Sequence, residues 1–250
     1  MNCGIRISVV IPTKNEGRYI GPTLLQYEPY LETLGLEVIV SDGGSTDDTL
    51  AVVESVQSRW GTERLKLVRA QGKQNIAIGR NAGAALARGE FLFHTDADVL
   101  IPEPAHFFNT LLRTFERRPE VVGATMPIRV YPHEATGLDR LYHELMNYAI
   151  QASFYIGIYL SKGECQLVRR SVFERIGGYN ERIVAGEDCN LFYRLHREGR
   201  LAYLRRLCVY HSPRRFREYG YLRINLIYLR EALSLLFLRR SYVEEWKVVR

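Results

Sequence analysis

Ile5 to Pro12 (IRISVVIP) is a β-branched run closed by proline, the pattern of a strand buried on both faces. Ile20, Leu24, Leu31 and Leu34 then recur at helical spacing, with Pro22 near the start and Pro29 as a break or kink. Leu36 to Ser41 predicts a second strand and Asp42 to Ser45 a turn. Ser45 or Thr46 can cap a helix whose Asp47 and Asp48 suit the positive end of its dipole. Leu65 to Val68 predicts a third strand, and Gly72 to Ala87 a helix of small residues able to pack closely on a sheet. Phe91 to Thr95 predicts a fourth strand. Regular β-α-β alternation implies an α/β fold with a doubly wound, mostly parallel sheet.

The pattern loosens after residue 100. Pro104 to Arg117, Thr136 to about Tyr159, Ser171 to Ile176 and Cys189 to Arg197 carry helical spacing. Val121 to Val130, Gln166 to Val168 and Leu201 to Tyr210 predict strands. After Pro213, leucines at 222, 226, 229, 233 and 236 keep helical spacing with Arg223 and Arg230 on another face, an amphipathic helix. The uncharged stretch Leu145 to Ser161 is too short to span a bilayer and predicts a buried or interfacial helix. No Pro/Gly/Ser-rich linker divides the chain, so one domain with two lobes is expected.

Composition sharpens this picture. The 250 residues, 46% hydrophobic and 25% charged, can bury a core without disulfides or a structural metal. The net charge of +6 is concentrated: residues 201–250 hold eleven basic and four acidic side chains, and residues 1–200 hold 23 and 24. Only five of the basic residues are lysines, and arginine forks match phosphate oxygens. A basic tail predicts a phosphate-bearing ligand, a nucleic acid or an anionic membrane face. Cys3, Cys165, Cys189 and Cys208 form no CxxC pair, which argues against a zinc or disulfide scaffold and for a reducing cytoplasm. The chain enters its first apolar strand directly, so no signal peptide is expected. No G-x-G-x-x-G follows that strand, which disfavours a dinucleotide site.

In an open parallel sheet, ligands bind beyond the carboxyl ends of the strands. Thr13 and Glu16 follow the first strand, Asp42 the second, and Asp96 and Asp98 the fourth, so they should converge on one rim. Asp96 and Asp98 repel each other and any phosphate, a conflict that a divalent cation resolves. By itself a D-x-D is more often a solvated turn; its place after a buried strand points to a ligand. Gly186-Glu187-Asp188 opens a helix in the irregular half. Acids there serve as dipole partners, or as a general base toward an acceptor hydroxyl. His211 ends a strand, as a structural residue or a further metal ligand. Ser212 to Phe216 places Arg214 and Arg215 in a loop suited to a diphosphate, or to solvent. His94 reads as core or wall, and Cys165 and Cys189 as packing residues.

Together these segments resemble family 2 glycosyltransferases. The runs Val9 to Glu16, Glu37 to Asp47, Gly79 to Gly83 with Ala87 to Phe91, Asp96-Ala97-Asp98, Arg169 to Tyr179 and Gly186-Glu187-Asp188 stand in that family's order over roughly residues 5–215. The resemblance implies a GT-A fold. Its expected division is a nucleotide-binding half at 1–100, a smaller acceptor half at 101–218 and an amphipathic helical tail at 219–250. It implies transfer of a sugar, with inversion, from a nucleoside diphosphate sugar such as a UDP- or GDP-sugar. The acceptor would be a hydroxyl on a glycan, a lipid-linked glycan or a small molecule. By resemblance Pro12, Thr13, Glu16 and Asp42 line the nucleotide pocket, with Asp42 at the base, and Arg80 lies near the nucleotide or diphosphate. Asp98 would bind Mg²⁺ or Mn²⁺, with Asp96 toward ribose, donor sugar or metal. Asp188 matches the catalytic base and Glu187 its neighbour toward acceptor or donor sugar.

The chain departs from the family pattern twice. Asp42-Gly43-Gly44-Ser45 stands where Asp-Asp-Gly-Ser is usual, and residues 212–216 only loosely match the Arg-Arg-Trp element of processive members. Single-sugar transfer is therefore expected. A polyprenyl-phosphate sugar transferase is the close alternative, favoured by the basic tail and disfavoured by Glu187-Asp188. An arginine-rich RNA-binding module is the remote one. Tyr203, Tyr210, Phe216, Tyr219 and Tyr221 interleave with arginines, but the leucine spacing at 222–236 favours a buried helix, and no nucleic-acid partner is expected. Arg223, Arg230, Arg239 and Arg240 fit an anionic membrane face or lipid-linked acceptor better. Helix 145–160 or the tail would form a homodimer face or rest on a membrane. The expected location is the cytoplasm, at the inner face of the membrane where the tail meets lipid.

Overall fold

The computed structural model describes residues 4–69, 75–238 and 241–243. Cys3, Gly72, Arg239 and Arg240 lie outside the described residues, and the side chains of Leu233 and Leu236 outside the described side chains. The strands are β1 (Ile7–Thr13), β2 (Leu36–Asp42), β3 (Leu65–Arg69), β4 (Phe91–His94), β5 (Val99–Leu100), β6 (Val121–Thr125), β7 (Ile128–Val130), β8 (Gln166–Arg169), β9 (Arg200–Tyr203) and β10 (Val209–His211). Seven form one sheet in the order β3-β2-β1-β4-β8-β6-β9, and β5-β10-β7 form a second, smaller one. β1 pairs in parallel with β2 and β4, which is why its side chains are buried on both faces. β8 runs antiparallel to both β4 and β6, joining the regular half of the sheet to the irregular half.

Two expected strands are each two. Val121 to Val130 breaks at Met126-Pro127, because proline has no N–H to continue a ladder; β6 stays in the large sheet and β7 enters the small one. Leu201 to Tyr210 likewise breaks at the Arg205-Arg206 turn, sending β9 and β10 to different sheets.

The helices are α1 (Gly17–Leu25), α2 (Thr49–Trp60), α3 (Ile76–Ala84), α4 (Pro104–Arg117), α5 (Gly137–Tyr155), α6 (Arg170–Arg175), α7 (Glu187–Leu195), α8 (Arg214–Tyr219) and α9 (Tyr221–Leu238). α1 ends before Pro29, as expected of a break. Neither Ser45 nor Thr46 caps α2, because both bond back to the β1–α1 loop: Asn15 N–H donates to Ser45 Oγ at 2.8 Å, and Thr46 N–H to Asn15 Oδ1 at 2.7 Å. Asp47 instead accepts from Thr49 N–H at 3.0 Å. α3 starts later than the small-residue pattern suggests, where Asn75 accepts from Ile78 N–H at 2.8 Å. α5 opens with a Thr136/Asp139 capping box.

Side-chain alternation divides the core. Phe91 and Phe93 point toward α4, meeting Phe115, Phe107 and Phe108 edge to face, while Leu92 joins Ala77, Val168, Phe173 and Leu191 on the other side. His94 is core, packed between Phe173 and Tyr179, and burial holds it neutral. α9 departs from expectation. Ile224 and Glu231 face the body, whereas Leu222, Leu226 and Leu229 point outward, with Leu222 77% exposed. Of the aromatics that interleave with the tail arginines, Phe216 is buried and stacks on Tyr221, Tyr203 meets Phe154, and Tyr203, Tyr210, Tyr219 and Tyr221 are half-buried.

Candidate active site

Because β1, β2 and β4 are parallel neighbours, the residues after them share one rim. Pro12 and Thr13 close β1, with Thr13 buried and Pro12 half-buried against Gly79 of α3. Asp42 closes β2, and its carboxylate accepts from Gly44 N–H at 2.9 Å, Ser45 N–H at 3.0 Å and the Ser45 hydroxyl. Those bonds place much of its accepting capacity in its own turn. The Gly43-Gly44 pair serves that turn, Gly44 having a φ of +85°.

Arg80 is the centre of the site. Carried on α3 and 1% exposed, it donates to Asp96 at 2.9 Å through one terminal nitrogen and to Glu187 at 2.8 Å through the other. Its guanidinium lies 5.4 Å from the Tyr179 ring centroid and beneath Gly163, where a Cβ would fall 2.2 Å from it. Burial disfavours the charge, but the Tyr179 oxygen, Asp96 and Glu187 outweigh it and hold the pKa above the ordinary arginine range.

Glu187 and Asp188 form the first turn of α7, which starts two residues before the helical spacing at Cys189, after Gly186 in the left-handed region (φ +79°). Asp188 Oδ2 accepts from Gly163 N–H at 3.0 Å and Oδ1 from Cys189 N–H at 2.7 Å. Its carbonyl accepts from Ser161 Oγ and Gln166 Nε2, both at 3.1 Å, and Tyr179 in turn donates to Gln166 at 2.6 Å. Burial pushes the Asp188 carboxyl up against the opposing pull of Arg80, and pushes Glu187 up with Asp188 adding to it.

Asp98 stands two residues beyond Asp96. Its carboxyl is 3.3 Å from Arg214, which also donates to Glu16 at 2.5 Å and lies over Tyr19. Arg214 and Arg215 stand in the first turn of α8 rather than in a loop, since residues after Pro213 continue as helix. Burial pushes Asp98 to about 7, with Asp96, Glu16 and Glu164 adding to the rise and Arg214 opposing it. Burial also raises Glu16 and Asp96. Such a floor is rich in hard oxygen donors, though Arg80 and Arg214 pair with three of its acids, and such donors fit a divalent cation whose remaining ligands are phosphate and water. Among the described residues no three His, Cys, Asp or Glu side chains enclose such an ion unaided. His211 is buried, with Nε2 2.9 Å from His143 Nε2 and Nδ1 3.7 Å from Glu164. Burial, then Lys162 and His143, holds it neutral.

The structure adds residues that the sequence pattern did not mark. Glu164 acts on Asp96, Asp98 and Asp188 at once. Its signal is Lys162-Gly163-Glu164, two charges flanking a glycine between the uncharged stretch Leu145 to Ser161 and a buried strand. His143, buried in mid-α5, carries no comparable signal. Cys165 and Cys189 are packing residues whose thiols burial pushes up, Cys165 to about 12.

The family model described as Glycosyl transferase family 2 matches residues 8–177. The chain belongs to glycosyltransferase family 2. This family 2 chain is 26% identical over 196 residues to the succinoglycan biosynthesis protein ExoA of Rhizobium meliloti (strain 1021), covering 76% of this chain and 58% of that one. It thus spans less than two thirds of that relative's length. Among solved structures, it superposes on the mannosyltransferase PcManGT from Pyrobaculum calidifontis, in complex with GDP-Man and Mn²⁺. The TM-score is 0.67 at 22% identity, over 91% of this chain and 65% of that one. Glucosyl-3-phosphoglycerate synthase from Mycobacterium tuberculosis, in complex with Mn²⁺, UDP and glucosyl-3-phosphoglycerate, superposes with a TM-score of 0.64 at 19% identity, over 95% and 80%. These likenesses identify the fold as GT-A.

Proposed function

We propose that this chain transfers one sugar, with inversion, from a nucleoside diphosphate sugar to a hydroxyl acceptor. The observation that carries the reading is the Arg80 bridge, which joins Asp96 at the donor rim to Glu187 beside Asp188. Donor-side acids and a candidate base thereby share one cleft. Asp188 takes the proton of the acceptor hydroxyl as that oxygen bonds to the anomeric carbon. The bond from that carbon to the diphosphate breaks on the opposite face, and its electron pair leaves with the nucleoside diphosphate. Glu187, held by Arg80, positions Asp188 and the sugar.

Pro12, Thr13 and Asp42 line the nucleotide pocket in this reading. Asp98, with Asp96 beside it, would hold Mg²⁺ or Mn²⁺ together with phosphate oxygens and water, with His211 beside Glu164 as the further candidate ligand. Such an ion, when bound, neutralises diphosphate charge. Arg214 and Arg215 stand over the same carboxylates, where guanidiniums can meet the phosphate oxygens. The two solved relatives named above hold GDP-Man or UDP together with Mn²⁺, which supports the choice of donor class and ion.

A thermal-shift series with UDP-, GDP- and dTDP-sugars, with and without Mn²⁺, tests the proposal. One nucleotide sugar should raise the melting temperature by several degrees only with the ion. No shift with any of them would remove the donor assignment.

A phosphate acceptor is a second reading, favoured by Lys162. Its positive charge reaches both Asp188 and His211 from the acceptor side. An acceptor that is already anionic needs no base, so turnover that survives Asp188→Asn would select this reading over the first.

A further inference from the structure

α5 and α9 present apolar ridges to solvent. On α5, Leu138, Leu141, Leu145 and Tyr148 follow one another at three- and four-residue steps and are all more than half exposed. On α9, Leu222, Leu226 and Leu229 follow at four- and three-residue steps and are all exposed, opposite the buried Ile224 and Glu231. The two helices lie side by side: Tyr142 donates to Asn225 at 3.1 Å, and its ring centroid is 4.4 Å from that of Tyr221. Tyr142 stands about a quarter turn from the α5 ridge, and Tyr221 and Asn225 about a quarter turn from the α9 ridge. Both ridges therefore emerge on the same outer side. Tyr155, Ile156 and Ile158 extend that apolar surface beyond the end of α5.

Charge selects the occupant. Asp139 and Glu231 are buried, and Glu144 is paired with Arg129. The remaining charges of the two helices are Arg140, Arg223 and Arg230, all exposed. A surface that combines leucine ridges, exposed tyrosines and positive charge without a free carboxylate is complementary to the headgroup region of an anionic bilayer. A leucine-rich homodimer face has no need for one sign of charge.

We infer that the outer face of α5 and α9 docks on an anionic phospholipid surface, lying in the interface rather than crossing it. Among the described residues no helix is long and apolar enough to cross a membrane. The face is set against the active site. Tyr228, on the inner side of α9, sits in the field of Asp188 and Glu164.

The test is co-sedimentation of the 250-residue chain with phosphatidylcholine vesicles, with and without phosphatidylglycerol, alongside its mass by light scattering. Wild type should bind the anionic vesicles, and binding should weaken as salt rises. Leu141→Glu with Leu145→Glu, or Leu226→Glu with Leu229→Glu, should reduce binding at least tenfold. Arg223→Glu with Arg230→Glu should abolish the preference for phosphatidylglycerol. All these positions are exposed, so unfolding midpoints and nucleotide-sugar thermal shifts should match wild type, which keeps this outcome separate from that of the donor assignment. Failure of wild type to bind anionic vesicles, or equal binding by the leucine variants, would overturn the inference. So would a dimer that the leucine variants dissociate without any vesicle binding, which would assign the face to a second copy of the chain.

Discussion

Arg80 and Glu187, 107 residues apart in sequence, meet at 2.8 Å in the interior. Both are buried, and Arg80 is also the counter-charge of Asp96 at 2.9 Å, so removing the guanidinium leaves two carboxyls in low dielectric without a partner. Arg80→Met should therefore cost about 3–5 kcal/mol, whereas the double variant Arg80→Met with Glu187→Leu should recover only part of it, because Asp96 stays unpaired. Urea denaturation of the single and double variants reads the difference.

Gly163 packs directly on that guanidinium, and two ion pairs prevent Arg80 from yielding. Gly163→Ala should lower stability by about 2 kcal/mol or more and reduce transfer with it. Gly137→Ala, with nothing near its Cβ position, is the control and should leave the melting temperature near wild type.

Asp188→Asn should fold, bind the donor and lose transfer by about 10²–10⁴-fold, the range of a general base. Burial raises the Asp188 pKa and the base must be ionised, so activity should fall as pH drops through that raised value. The acid limb should accordingly lie above the ordinary carboxylate range. Near wild-type turnover in the variant would dismiss Asp188 as base.

Arg214 holds Glu16 and faces Asp98. Arg214→Ala removes charge-assisted bonds worth about 1.5–3 kcal/mol to a phosphate-bearing ligand, or about ten- to a hundredfold in affinity. Titration calorimetry with the nucleoside diphosphate is the measurement; unchanged affinity would place Arg214 outside diphosphate binding.

Glu37 predicts an acid-sensitive fold. Buried on β2, it accepts from Ser8 Oγ and Arg88 N–H, both at 2.7 Å, and from Lys66 at 3.0 Å. Burial alone would raise its pKa, but these bonds outweigh it and hold the carboxyl below its ordinary range. A carboxylate whose folded pKa is depressed stabilises the fold above its unfolded value, about 4.3, and loses that stability as pH falls through the folded value. Melting temperatures should therefore drop below pH 4.5, and Glu37→Gln should flatten that drop while lowering stability at neutral pH.

The regular half was legible because each strand there is a local signal. β1, β2 and β4 are buried on both faces, so their residues need no partner to be recognised, and parallel order puts their ends on one rim. Rim residues Thr13, Glu16, Asp42, Asp96 and Asp98 follow from that rule alone. The irregular half was misjudged where the chain changes sheet, at Met126-Pro127 and Arg205-Arg206. Hydrophobic pattern does not reveal which sheet a short strand joins.

Sequence alone determined the alternating α/β order, the acids at the strand ends and, through motifs in register, the resemblance to family 2, because those depend on neighbours within a few residues. Only the tertiary structure decided what Arg80, Arg214 and the tail leucines do. Arg80 and Arg214 acquire their partners across 107 and 198 residues of chain, distances over which sequence spacing carries no geometry. The leucines at 222, 226 and 229 have the spacing of a buried stripe, yet they face outward. Tyr221, Ile224 and Glu231 occupy the side of α9 that the body covers, and a helix can bury only the face its neighbours reach.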